Sequence, residues 1–425
     1  MVRLRGLFGV GVVLAFLTAC GGGTSTLTPQ AFSPARVARH AVPVVRPAAG
    51  FKVLYNFGKG SDGAYPEGYP LLVGGKIYGT TYCGGAYGAS TCTASGTGGG
   101  TVFVINVDGS GEKVLHSFNK GTDGSSPDAG LIAIKDTLYT TTLYGGTNGS
   151  GTVVAITTAG KEHVVYNFKG GAKDGANPYG PVVDVNGTLY GLTYNGGGGQ
   201  GCGSNYCGTV FSVTPAGKEK VVHAFDESKG DGGFPAAGLL DEGGTLYGAT
   251  SAGGADGKGT FFSVTPAGAE KVLYSFTGAS DGGYPASAPV DVKGTFYATS
   301  ASGGICGSKT CNGTVYSITT KGVEKAIYAF KAGSDGANPY DALVAVNGTL
   351  YGDTLAGGSA GDGTVFGVTT GGKESLLNTF AGSSGGAEPY GGLLYSSGKL
   401  YGFTVFGGTQ HASGGGGGTF FIVNK

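Results

Sequence analysis

Apolar positions along this chain fall into short bursts of two kinds. One kind is apolar on consecutive residues, as in Val102-Phe103-Val104-Ile105, and predicts a strand covered on both faces. The other alternates: Val53, Tyr55 and Phe57 face one way, Lys52 and Asn56 the other. That pattern predicts an outer, half-exposed strand. Pairs such as Asn186-Gly187 and Asp108-Gly109 separate the bursts. Gly and Asn tolerate positive φ, so these pairs predict tight antiparallel turns. No helix is predicted beyond the N-terminal segment.

The bursts recur. A Gly-Thr pair opens the inner burst at Gly100, Gly151, Gly208, Gly259, Gly313, Gly363 and Gly418. A Phe closes the outer one at Phe57, Phe118, Phe168, Phe225, Phe276, Phe330 and Phe380. A third phrase, usually Leu-Tyr-Gly-x-Thr, places its Tyr at Tyr78, Tyr139, Tyr190, Tyr247, Tyr297, Tyr351 and Tyr401. Repeats of roughly 50 residues build solenoids or propellers. Each unit reads as four strands, which in the second copy cover 131–135 (strand A), 137–143 (B), 152–157 (C) and 162–168 (D).

The chain enters this repeat with a D strand, 51–57, and leaves it with a C strand after Gly418. An open solenoid has no use for that phase shift. A closed ring does, because the first strand completes the last unit and no raw edge remains. The predicted fold is all-β: a seven-bladed β-propeller, four antiparallel strands per blade, closed by 51–57 joining the C-terminal blade.

Charge separates the N-terminus from the rest. The first fifty residues hold five Arg and no acid, so the remainder carries a net charge of −5 although the 425-residue chain sums to zero. No basic patch suggests nucleic acid as a partner. Arg3 and Arg5 precede an apolar run too short to span a bilayer, and the run ends in Leu17-Thr18-Ala19-Cys20. This resembles the lipobox of bacterial lipoproteins. The resemblance implies a signal peptide over 1–19, lipidation of Cys20, a flexible tether over 20–50 and the propeller over 51–425. It also implies an exported protein held at the bacterial cell envelope or surface by a lipid anchor in the membrane.

The phrases "GTVF", "LYG.T..GG" and "VLY.F" together resemble the GloVer tandem repeats of bacterial proteins that carry varied surface anchors. The resemblance covers nearly all of 51–425. It implies an exported, surface-held repeat protein and brings no catalytic residues. Thr140 and Ala298 stand where most copies of the third phrase have Gly.

If strand A runs downward, the B–C and D–A loops share the top face and carry the unusual residues. The D–A loops contain Asp-Gly at Asp62, Asp123, Asp174, Asp231, Asp281 and Asp335, with Gly385 in the seventh. An Asp before Gly caps its own turn, and none of these loops has the density of a calcium loop. No metal and no cofactor are expected. A Pro follows in each loop, and the next residue enters the innermost strand: Glu67, Asp128, Tyr179, Ala236, Ala286, Tyr340 and Tyr390. The two acids and three tyrosines form a candidate ligand funnel, with carboxylates for hydroxyls and rings for stacking. The plainer reading leaves them as solvated rim residues.

Six cysteines beyond Cys20 pair most economically within B–C loops: Cys83 with Cys92, Cys202 with Cys207, and Cys306 with Cys311. His116 and His223 occupy the strand-D position held elsewhere by Tyr55, Tyr166, Tyr274 and Tyr328. No Ser-His-Asp set and no phosphate loop can be assembled. The expected function is therefore a non-catalytic, monomeric binding module for a glycan, peptide or protein ligand. A carbohydrate-active lyase or hydrolase using Glu67 or Asp128, and a structural envelope protein, are the alternatives.

Overall fold

A computed structural model describes residues 50–87, 99–119, 121–306, 309–310, 312–409 and 416–425. Cys20, Cys92, Cys311 and the side chain of Cys306 lie outside the described residues, as do the signal and almost all of the tether. The described chain forms seven antiparallel sheets, each the four-strand unit read from the sequence, plus a two-stranded ribbon in one loop. They are the blades of a propeller. In blade two the strands are Ile132–Ile134, Thr137–Thr142, Thr152–Thr157 and Glu162–Asn167.

The ring closes as the phase shift predicts. Phe51–Asn56 pairs antiparallel with Thr419–Asn424, Phe51 opposite Val423 and Asn56 opposite Thr419. Strand C is buried on both faces: Val102, Phe103 and Ile105 are fully buried. The Phe that ends each D strand inserts between blades. Phe57 packs on Phe103 at 4.9 Å, Phe168 on Phe211 at 5.0 Å and Phe330 on Phe366 at 4.9 Å.

That ring explains the Gly of the third phrase. A Cβ on Gly79 would lie 2.6 Å from the Phe103 ring. In blade two, where Thr140 replaces the Gly, the strand-C ring is gone and Thr140 faces Val154; in blade five Ala298 faces Tyr316, which keeps the ring. The Thr of the third phrase and the Thr of Gly-Thr also belong together. Thr81 and Thr101 share a hydrogen bond of 2.8 Å, and so do Thr193 and Thr209. Such cross-strand pairs hold register.

Three features depart from the sequence reading. Every D strand carries a β-bulge, between Val53 and Tyr55 in the closing strand and between Val164 and Tyr166 in blade two, so strict alternation fails there. Strand A of blade two is shorter than expected. In blades one, five and seven the inner strand is split, as Ala64–Pro66 and Leu71–Val73 in blade one. There the residue after Pro leaves the strand, and only blade three runs one strand, Gly175–Val185, through this region. Each residue before that Pro has positive φ, from Tyr65 at 59° to Glu388 at 53°. A left-handed residue before proline is unfavourable, and its recurrence in all seven blades shows that packing imposes it.

Candidate functional site

The residues after the seven prolines read from sequence either as a ligand funnel, at Glu67, Asp128, Tyr179, Tyr340 and Tyr390, or as a solvated rim. The structure instead ties four of them together inside the ring. Glu67 is only 5% exposed, and its carboxyl meets that of Asp128. Asp128 accepts a hydrogen bond from Tyr179, and the hydroxyls of Tyr179 and Tyr390 lie 2.9 Å apart. One consistent set of protons runs through the chain: Tyr390 donates to Tyr179, Tyr179 to Asp128, and protonated Glu67 also to Asp128. Burial and the Asp128 charge hold Glu67 well above the usual carboxyl range. Tyr340 is half-buried and takes no part in this chain; burial lifts its phenol to about 12.

A second acid pair belongs to the same centre and was not read from the sequence. Asp341 and Asp353 are 7% and 2% exposed and hydrogen-bond each other. Burial, then the Asp341 charge, pushes Asp353 well up, so Asp353 holds the shared proton. Asp341 also accepts the backbone N–H groups of Gly391 and Gly392. The pairs sense each other, since Asp128 raises Asp341 and Asp341 raises Glu67. No described lysine or arginine acts on any of the four carboxyls.

Tyr69 is the other residue missed. It crosses from blade one to blade six, where its hydroxyl accepts the N–H of Ala342 at 3.4 Å. A Cβ on Gly130 would lie 2.7 Å from its ring, and one on Gly392 2.8 Å, so these positions must stay small. A signal was present. The third residue after Pro reads Tyr69, Gly130, Pro181, Gly238, Ala288, Ala342 and Gly392, one large side chain in a ring of compact ones. Beside Tyr69 lies a cavity of about 610 Å³, bordered by Ile134, Lys135, Val183, Asp184 and Leu239. Lys135 lies at an A–B turn, so this cavity reaches the face opposite to the one expected.

A different polar set recurs between blades. Tyr55 donates to Asp62 at 2.9 Å and to Glu112 of the neighbouring D strand at 3.3 Å. Tyr166 reaches Asp174, Tyr274 reaches Asp281 and Tyr328 reaches Asp335 in the same way. These aspartates also cap their loops, as expected: Lys59 N–H donates to Asp62 at 2.7 Å. His116 and His223 replace the Tyr, bonding Asp123 at 3.1 Å and Asp231 at 3.0 Å. At the closing seam all three members change, to Asn378, Gly385 and Phe51. Phe51 there packs on Phe380 at 5.7 Å and Phe421 at 5.8 Å.

Cys202 and Cys207 are joined as expected. Cys83 is also disulfide-bonded.

A family model described as the Gloeobacter/Verrucomicrobia repeat matches residues 87–311, more than half of the chain. No curated protein matches. Among solved structures, a puromycin hydrolase is 10% identical over 81% of this chain and 50% of its own, with a TM-score of 0.50. An oligogalacturonate lyase from Vibrio parahaemolyticus is 10% identical over 88% of this chain and 96% of its own, with a TM-score of 0.48. A nidogen/laminin complex is 11% identical over 65% of this chain and 89% of the other, with a TM-score of 0.39. At such identities the likeness is one of fold alone.

Proposed function

We propose, for a chain that belongs to the Gloeobacter/Verrucomicrobia repeat family, the role of an exported binding module that takes a neutral glycan at the centre of its propeller. One observation carries this reading. Four carboxyls and the phenols of Tyr69, Tyr179 and Tyr390 converge on the axis, with no cationic side chain among the described residues to offset them. A centre that only had to be filled would be more stable filled with Leu and Val. Proton-sharing carboxyls and phenols both donate and accept, which suits a ligand rich in hydroxyls, and tyrosine rings suit its apolar faces. The module works as a monomer, tethered through residues 20–50 and held at the bacterial envelope by lipid on Cys20.

Soluble neutral oligosaccharides, screened as an array and followed by calorimetry, test the reading. The wild type should bind at least one, and Tyr179→Ala with Tyr390→Ala should weaken it about fivefold or more, the worth of roughly 1 kcal/mol. No binding to any member, or binding unchanged in the double variant, rejects it. The raised Glu67 carboxyl beside Asp128 also has the make-up of a general acid with its base. Turnover of a bound sugar that Glu67→Gln abolishes would move the protein to the lyases or hydrolases.

A further inference from the structure

We propose a second site, for a divalent transition-metal ion, between blades three and four at His223, Asp231 and Glu270. Each residue offers one ligand atom, and the three atoms lie within 4.8 Å of one another. No other three His, Cys, Asp or Glu atoms among the described residues meet this closely. His223 Nε2 and Asp231 Oδ2 are 3.0 Å apart. Ligand atoms bound about 2.1 Å from a common metal lie about 3.0–3.4 Å from each other.

The surroundings fix the ligands. The His223 ring stands edge-on to Phe225 at 5.0 Å. Asp231 Oδ1 accepts the N–H of Asp226 at 2.6 Å, which turns Oδ2 toward the imidazole. Glu270 Oε1 is buried without a hydrogen-bond partner, as are the same atoms of Glu112, Glu162, Glu219, Glu324 and Glu374 at the other seams, so the imidazole and not this oxygen sets the site apart. At the Tyr55 seam a phenol bonds both acids, Asp62 and Glu112. The imidazole bonds Asp231 alone, and two carboxylates beside one nitrogen form a borderline donor set of the kind Zn²⁺, Co²⁺ and Mn²⁺ accept. The same His recurs at His116, 3.1 Å from Asp123, but Glu162 does not close the set there. One ion follows among the described residues.

The test uses the full chain as Cys20→Ser, disulfides intact and metal-stripped, titrated with Co²⁺ alone. One equivalent should bind with weak visible bands and no thiolate charge-transfer band. His223→Tyr, which installs the side chain of the intact neighbouring seams, should bind at least about tenfold more weakly, and so should Glu270→Gln. His116→Tyr should bind as the parent does. Zn²⁺ should raise the melting temperature of the parent and leave that of His223→Tyr unmoved. Absence of Co²⁺ binding, binding unchanged in His223→Tyr, or equal loss in His116→Tyr overturns the site.

Discussion

The hydroxyl of Tyr390 lies 2.9 Å from that of Tyr179, across the axis and 211 positions away in the chain. Two residues that follow prolines in blades seven and three are thus held face to face by ring closure. A double-mutant cycle of Tyr179→Phe and Tyr390→Phe, followed by urea unfolding, should return a coupling of about 1 kcal/mol. A coupling indistinguishable from zero would show that the two rings only share space.

The buried acids set the direction of pH dependence. Burial lifts Asp341 from 3.8 to about 6, and Glu112, Glu219, Glu270, Glu324 and Glu388 from 4.5 to about 7. Between roughly pH 4 and 7 the folded chain therefore binds more protons than the unfolded one, and stability falls as pH rises through that window. The melting temperature should be lower at pH 8 than at pH 5. Asp353→Asn should flatten that slope, since it removes the carboxyl that must stay protonated. A melting temperature that climbs from pH 5 to 8 contradicts this assignment.

Closure is testable by truncation. Deleting 51–57 exposes the edge of Thr419–Asn424 and empties the contacts of Phe51 with Phe380 and Phe421. An exposed apolar edge invites pairing between chains. That deletion should aggregate, deletion of 21–49 should melt like the parent, and Phe51→Ala should cost about 2–3 kcal/mol. Equal melting of the two deletions would break the argument.

Cys202 and Cys207 close a short loop, with a sequence separation of 5. Replacing both by Ser should lower stability by about 2 kcal/mol on the chain-entropy account. Chemical denaturation of the oxidised parent and the double variant gives the comparison; no difference would mean that the loop is equally constrained in the unfolded chain.

At the other end of the chain, Cys20→Ser should move the protein from the membrane to the soluble fraction. Two acyl chains anchor where one barely does, because each buried methylene adds about 0.8 kcal/mol. Retention of the variant on membranes, with no lipid mass on the wild type, removes the anchor from the account.

Blade number, strand order and ring closure were legible because they rest on features spelled seven times, such as the Phe of strand D and the Gly-Thr pair. The centre was legible only in part. Glu67, Asp128, Tyr179 and Tyr390 could be picked out as variable positions in a constant frame. Their contacts could not, because those depend on an excursion of the inner strand that no propensity marks. Asp353 stands at the x of Leu-Tyr-Gly-x-Thr, where the other copies have Thr80, Thr141, Leu192, Ala249, Thr299 and Phe403. Nothing in that phrase shows that x faces the inner turn of the next blade, as Thr80 does in donating to Ala129 O at 3.1 Å. Glu112 and its counterparts were hidden for the same reason, since a strand-leading Glu reads as solvated until the adjoining blade is in place.

The pairing of Phe51–Asn56 with Thr419–Asn424 also orders events in time. The first strand of the propeller to leave the ribosome is the partner of the last. Blades one to six can assemble from neighbours in sequence, but the seventh must wait, with an apolar strand held unpaired throughout synthesis. A chain halted anywhere before Thr419 keeps that strand exposed, a recognisable mark for a chaperone or protease. The seam can therefore form only once the chain extends through Thr419–Asn424.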